Sequence, residues 1–160
     1  MKTTLEKARE KTNRDTVNVL QIIITKNYDA QKGYRKAMVD VKNPELKTFL
    51  QQQARQRSNF LTEIDQEIRS LNEIPKENGS RTGTLHRAWI DVKNFVAGNN
   101  DETVIEEVIR GEKAKINEYR DVLKRNTLAP QIISMLQSQL NGIKNTLKQV
   151  KTLDLEVSLN

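Results

Sequence analysis

The stretch from Asp15 to Val41, DTVNVLQIIITKNYDAQKGYRKAMVDV, decides the fold. Its inward positions are Val17, Leu20, Ile24, Asn27, Gln31, Tyr34, Met38 and Val41, in steps of three and four. That is the spacing of one face of an α-helix. Asn43-Pro44-Glu45 follows at once and reads as a helix start. Asn caps the first free N–H groups, Pro suits the first turn, and Glu sits well at the positive end.

Working outward, a second helix carries Leu46, Leu50, Gln53, Arg57, Phe60, Ile64, Ile68 and Leu71 inward. The run PKENGSRTG, Pro75 to Gly83, is a loop by composition. A shorter helix is expected from Thr84 to Ala97, with Leu85, Trp89, Val92 and Val96 on one face. Gly98-Asn99-Asn100-Asp101 ends it and caps a third long helix, with Ile105, Val108, Glu112, Ile116, Tyr119 and Leu123 inward. After a turn at Asn126 to Pro130, the last helix carries Ile133, Leu136, Leu140, Ile143, Leu147 and Val150. Four helices of roughly 25 residues would each be about 37 Å long. Short joints before Pro44 and Pro130 make each pair an antiparallel hairpin, and the long stretch between the pairs is a crossover.

The expected architecture is therefore all-α: an antiparallel four-helix bundle with ferritin-like connectivity and one additional short crossover helix. Residues 1–14 form a polar lead-in, 15–153 the bundle and 154–160 a tail. The tail, Leu153-Asp154-Leu155-Glu156-Val157-Ser158-Leu159, alternates with period two. It reads as a frayed end or an extended arm. A weak internal repeat sets Asn27, Tyr34 and Arg35 against Glu112, Tyr119 and Arg120. Pro44, Gln53 and Leu61 match Pro130, Gln139 and Leu147 at an offset one residue longer.

Composition agrees and excludes much. At 160 residues the chain is long enough to bury a core without staples. Only 4% of residues are aromatic, and three prolines and six glycines are too few for the many turns of an all-β fold. No cysteine is present, so disulfides, thiolate metal sites and cysteine nucleophiles are excluded. The longest apolar run, Ile22-Ile23-Ile24, cannot span a membrane, and the N-terminus has no apolar signal segment. A cytoplasmic location is the default expectation.

The middle of the inward stripes is polar. Asn27 and Gln31 lie there on the first helix, Gln53 and Arg57 on the second, and Glu112 on the third, whereas Leu140 and Ile143 make the fourth apolar. A di-iron centre in such a bundle needs a Glu on each of two helices and a Glu-x-x-His on each of the others. Here Asn27 replaces one Glu, Arg57-x-x-Phe60 replaces one Glu-x-x-His, and the fourth helix offers neither ligand. The expectation is no metal, no cofactor and no enzymatic activity. Arg57 and Glu112 should instead pair inside the bundle, with Asn27, Gln31 and Gln53 satisfying leftover donors and acceptors.

Other features carry less. His86 has no companion ligands, and Trp89 is expected to pack the crossing helix on the bundle. Gly33 and Gly111 lie inside helices, where a close helix contact would justify them. Lys144, Lys148 and Lys151 form a basic stripe, and no acid occurs between Val122 and Leu153. With a net charge of +6 this permits anionic partners, but no aromatic platform or recognised motif supports nucleic-acid binding.

The runs Gly33-Tyr34-Arg35-Lys36-Ala37 and Asn43-Pro44-Glu45-Leu46-Lys47 resemble an uncharacterised bacterial ferritin-like family, catalogued as a domain of unknown function. Leu85-His86-Arg87-Ala88-Trp89 and the stretch from Arg110-Gly111-Glu112 to Tyr119-Arg120 are similar to it as well. The resemblance covers Asp15 to Leu153. It implies a ferritin-like fold and a stress-associated bacterial protein, with no established activity. The fourth helix departs from the family in lacking a late histidine.

The reading that follows is a non-catalytic structural or interaction protein on a ferritin-like bundle without di-iron ligands. Val19 and Ile22 point away from the inward stripe and need cover, either from the crossing helix or from a second copy in a homo-oligomer. The alternatives are a residual metal-binding or redox protein using Glu112, and a basic nucleic-acid or anionic-surface binder. No membrane association is expected.

Overall fold

The computed structural model describes residues 1–76, 100–125 and 127–159. The described residues form four helices: α1 (Thr4–Asp40), α2 (Pro44–Ser70), α3 (Asp101–Leu123) and α4 (Pro130–Ser158). There is no strand among them. The expected crossing helix, with His86 and Trp89, lies outside the described residues.

Helix starts follow local chemistry. Thr3 and Glu6 form a capping box at the head of α1, so the polar lead-in is helical from Thr4 onward. The Asn43 side chain accepts the N–H groups of Glu45 (2.9 Å) and Leu46 (3.1 Å), with Pro44 in the first turn of α2. Asn100 caps α3 by accepting from the Thr103 N–H at 2.8 Å. Past the end of α2, Asn72 takes φ 60°, the left-handed conformation that Asn tolerates, and the Glu73 N–H reaches back to the Ile68 carbonyl at 3.2 Å.

Each hairpin packs along its length, α1 on α2 and α3 on α4. The two hairpins meet through α1 with α3 and α2 with α4. Asn27 bonds Tyr119 while Tyr34 bonds Glu112, so α1 and α3 run antiparallel. α2 and α3 therefore run the same way, and α2 ends where α3 does not begin. At one end the Asp101 carboxylate accepts the backbone N–H groups of Lys42 (3.0 Å) and Asn43 (2.8 Å). At the other, the Gln21 side chain donates to the Ile74 carbonyl and accepts from the Lys76 N–H, both at 2.8 Å. This is the ferritin-like arrangement expected from the joints.

The core divides in two. One apolar cluster centres on Leu20, Ile24, Ile64, Ile68, Leu136 and Ile143. The other centres on Tyr34, Leu46, Leu50, Ile105, Val108 and Val150. α1 buries more than the expected stripe. Val19 and Ile23 are fully buried, whereas Val17 and Met38 are only partly so. The reason is that α1 contacts both α2 and α3, and so needs a wider apolar face. Val19 is thus covered within the chain, and of that pair Ile22 stays exposed.

The tail corrects the sequence reading: it is neither frayed nor an extended arm. α4 continues to Ser158. Lengthening an existing helix adds a hydrogen bond per residue without a new nucleus. Leu153 and Val157, one turn apart, both lean on the second core cluster, which the period-two pattern concealed. None of the described helices is long and apolar enough to cross a membrane.

Candidate functional site

Between the two apolar clusters lies a buried polar layer. The Arg57 and Glu112 side chains are both 0% exposed. Arg57 Nη2 donates to Glu112 Oε1 at 2.6 Å and Oε2 at 2.5 Å, so the expected ion pair is formed. Its geometry is not the two-nitrogen fork that a guanidinium can offer a carboxylate. One nitrogen serves both oxygens, and Nε and Nη1 have no hydrogen-bond partner. The planar guanidinium instead lies against two rings, with Cζ 5.5 Å from the Phe60 centroid and 6.0 Å from that of Tyr34. Those contacts attract a cation electrostatically.

The Tyr34 hydroxyl donates to Glu112 Oε1 at 2.5 Å. Glu112 thus accepts from a permanent cation and a phenol at once. Burial, and then the Glu112 charge, push the Tyr34 phenol well above its ordinary range. Burial opposes the charge on Arg57, but Glu112 and the two tyrosines outweigh it and hold the guanidinium more firmly protonated.

Asn27, Gln31 and Gln53 are buried in the layer, as expected, but none bonds to the ion pair. Asn27 Nδ2 donates to the Tyr119 hydroxyl and to the Ile23 carbonyl, each at 2.9 Å. Tyr119 donates onward to Gln139 Oε1 at 2.8 Å. Gln31 Nε2 donates to Ser58 Oγ at 3.0 Å, and Gln53 Oε1 accepts from Thr146 Oγ1 at 2.7 Å. The partner that completes the ion pair is Tyr34. Spacing alone ranked it as core because a tyrosine ring and a tyrosine hydroxyl occupy the same inward position.

The fourth helix is also less apolar than its stripe suggested. Gln139 and Thr146 on α4 are each 1% exposed and face the layer beside Leu140 and Ile143. The signal for Gln139 was its repeat match to Gln53; Thr146 gave none. Lys115, equally unannounced, is 2% exposed with Nζ 3.3 Å from Glu118 Oε2. Burial lowers its pKa against the pull of Glu118, whose other oxygen takes Lys26 at 2.7 Å.

The internal repeat acquires a physical meaning here. Tyr34 and Tyr119 are repeat equivalents, and so are Asn27 and Glu112. Each tyrosine hydroxyl bonds the polar residue of the other helix that is equivalent to its own neighbour seven residues before it. The arrangement has approximate two-fold symmetry, broken in charge. At the longer offset of the second helices, the equivalent of Arg57 is Ile143. The ion pair exists on one side only, and an amide and an apolar residue stand on the other.

The family described as "Domain of unknown function (DUF2383)" matches residues 15–125. The chain belongs to this family. Its match takes in α1, α2 and α3 and stops short of α4. No curated protein matches by sequence. Among solved structures, Dps92 of Deinococcus radiodurans is similar with a TM-score of 0.72 at 15% identity, covering 89% of this chain and 87% of that one. A Dps1 mutant of Mycobacterium smegmatis is similar with a TM-score of 0.77 at 16% identity, covering 90% and 97%. At such identities the likeness is one of fold.

A ferritin-like fold raises the question of iron, and the donors among the described residues of this DUF2383 chain do not fit it. Among the described residues no three His, Cys, Asp or Glu side chains gather closely enough to hold a metal. The fully buried carboxylate of Glu112 has its oxygens on Arg57 and Tyr34. A metal there would have to displace a guanidinium that cannot lose its proton.

The basic stripe lies elsewhere. Lys144, Lys148 and Lys151 are all exposed on α4. Lys144 borders a surface groove of about 390 Å³ between α3 and α4, shared with Lys113 and Arg120.

Proposed function

We propose that this protein is a non-catalytic structural or interaction protein, a ferritin-like bundle whose centre is closed by an internal ion pair instead of being open to metal. The observation that carries the reading is the engagement of both Glu112 oxygens by Arg57 Nη2, with Tyr34 on one of them. A carboxylate held this way is neither a free base nor a free ligand. The groups bonded around it, Asn27, Gln139, Gln53, Thr146 and Tyr119, are amides, hydroxyls and a phenol, which bind hard or redox-active cations poorly without carboxylate support. A stress-associated role in a bacterium rests on the family resemblance.

Elemental analysis of protein purified from iron-rich medium, with an iron-oxidation assay on the same sample, tests this. The expected result is iron far below one atom per chain and oxidation no faster than in buffer. Stoichiometric iron that disappears on Glu112→Gln would establish the metal-binding alternative. Self-association is the second part of the proposal. Ile22, 42% exposed, and Val39, 71% exposed, leave apolar surface on α1. Mass in solution measured against concentration checks it, with a monomer at all concentrations as the contrary result.

A further inference from the structure

The groove between α3 and α4 gathers positive charge that no acid among the described residues within a turn of it compensates. Lys113, Arg120 and Lys144 line it with Asn117, over a floor of Ile116 and Leu147. Residues one turn away on the same helix could supply a compensating acid, and for these three cations none does. The positions three and four away from Lys113 hold Ile109, Arg110, Ile116 and Asn117. Those around Arg120 hold Ile116, Asn117, Leu123 and Lys124, and those around Lys144 hold Leu140, Asn141, Leu147 and Lys148. α4 carries no acid before Asp154. The α3 acids at this level are engaged elsewhere: Glu112 in the core, Glu118 with Lys26, and Asp121 with Lys124.

The internal repeat provides a comparison within the same molecule. On the other hairpin the equivalents of Lys113 and Lys144 are Tyr28 and Ser58, and Ser58 is occupied by Gln31. Arg35 is the equivalent of Arg120. Lys32 is the equivalent of Asn117, so that face carries two cations where the α3–α4 face carries three, and the pairing of cations from both helices across the groove is what distinguishes α3–α4.

We propose that this groove binds the condensed phosphate chain of a small molecule, a di- or triphosphate group. Three cations and an amide donor around one groove call for an anion with several charges close together. Lys113 and Arg120 stand two turns apart on α3, roughly 10 Å along the axis, with Lys144 facing them from α4. A linear chain of phosphates can touch all three. Arg120 can offer two parallel N–H bonds to one phosphate, and the lysines act as point charges. The apolar floor strengthens each attraction by keeping water from one side. Among the described residues no aromatic side chain lines the groove, so they offer a base nothing to stack on and recognition by them ends at the phosphates.

The test is calorimetric titration of the full chain with inorganic triphosphate, without divalent metal and at fixed ionic strength. ATP and a single-stranded oligonucleotide form parallel arms. Lys144→Gln and Arg120→Gln should each weaken triphosphate binding by about tenfold or more, a loss of roughly 1.4 kcal/mol or more. Arg35→Gln, the matching charge change on the other hairpin, should leave it unchanged. Triphosphate and ATP should bind alike. The residues changed are exposed, and unaltered melting curves verify the fold. The proposal is overturned by no heat of binding at millimolar triphosphate, or by equal losses from Arg35→Gln. Tight oligonucleotide binding through Lys144 and Arg120, with negligible affinity for triphosphate, would also overturn it and make the face a nucleic-acid surface.

Discussion

Arg57 and Glu112 meet through a single guanidinium nitrogen, on parallel helices of different hairpins, with no solvent on either side chain. Both ions have lost their water, so the pair need not stabilise the fold relative to apolar residues of the same size. Breaking it is another matter. Arg57→Met or Glu112→Leu alone should cost about 3–5 kcal/mol, because each leaves a buried charge unpaired. The double variant should cost far less than the sum. A double-mutant cycle read from denaturant midpoints checks this, and additive effects would show that the two charges act independently.

The two tyrosines should differ in worth despite their equivalent places. Tyr34 donates to a carboxylate and Tyr119 links two amides. Tyr34→Phe should cost about 1.5–3 kcal/mol and Tyr119→Phe about 0.5–1.5. In Arg57→Met/Glu112→Leu protein the Tyr34→Phe penalty should shrink, since its acceptor is gone. Urea unfolding of the parent and these four variants decides it, and equal penalties for the two tyrosines and in both backgrounds would contradict the charge asymmetry of the layer.

Alkaline pH should unfold the protein through these same phenols. Burial raises both tyrosines above the ordinary value, with Glu112 adding to it at Tyr34 and Asn27 opposing it at Tyr119. A folded-state pKa above the unfolded one gives stability that is intact below the unfolded value of about 10 and lost as pH rises beyond it. Phenolate absorbance should therefore rise late and together with loss of helix. Replacing both tyrosines by Phe should flatten the pH dependence above about 10. Early ionisation of Tyr34 and Tyr119, independent of unfolding, would count against their burial.

Gly142 should resist enlargement. A Cβ there would sit 3.1 Å from Phe60 Cζ and 3.1 Å from Gln56 Nε2. Gln56 can swing away, but Phe60 lies on the Arg57 guanidinium and has little room to retreat. Ala gains up to about 1 kcal/mol of helix propensity over Gly. Overpacking costs about 1–3 kcal/mol, so Gly142→Ala should be destabilising by up to about 2. Adding Phe60→Leu should restore part of the loss, and thermal midpoints measure both.

Gly142 also marks a limit of reading one helix at a time. Gly33 and Gly111 stood out because they precede inward tyrosine and glutamate positions. Both are buried. The close approach to a neighbouring ring is seen at Gly142, where α2 and α4 cross, and that crossing depends on the whole bundle.

The sequence by itself determined the helices, their joints and the polar layer. Periodicity of three and four, the Asn-Pro-Glu start of α2 and the Asn-Asp start of α3 are local, and local chemistry is fully written in the chain. The pairing of Arg57 with Glu112 was also legible, since a buried permanent cation needs an anion and the layer holds one. Tertiary structure alone decided which nitrogen makes the bond and that Tyr34 completes it, with Asn27, Gln31 and Gln53 bonding elsewhere. It alone buried Lys115, Gln139 and Thr146, and turned the alternating tail into helix. These outcomes depend on helix rotation and crossing, which shift a polar atom by several ångströms without altering the periodicity that names its face. A hydrogen bond is won or lost within a fraction of that distance.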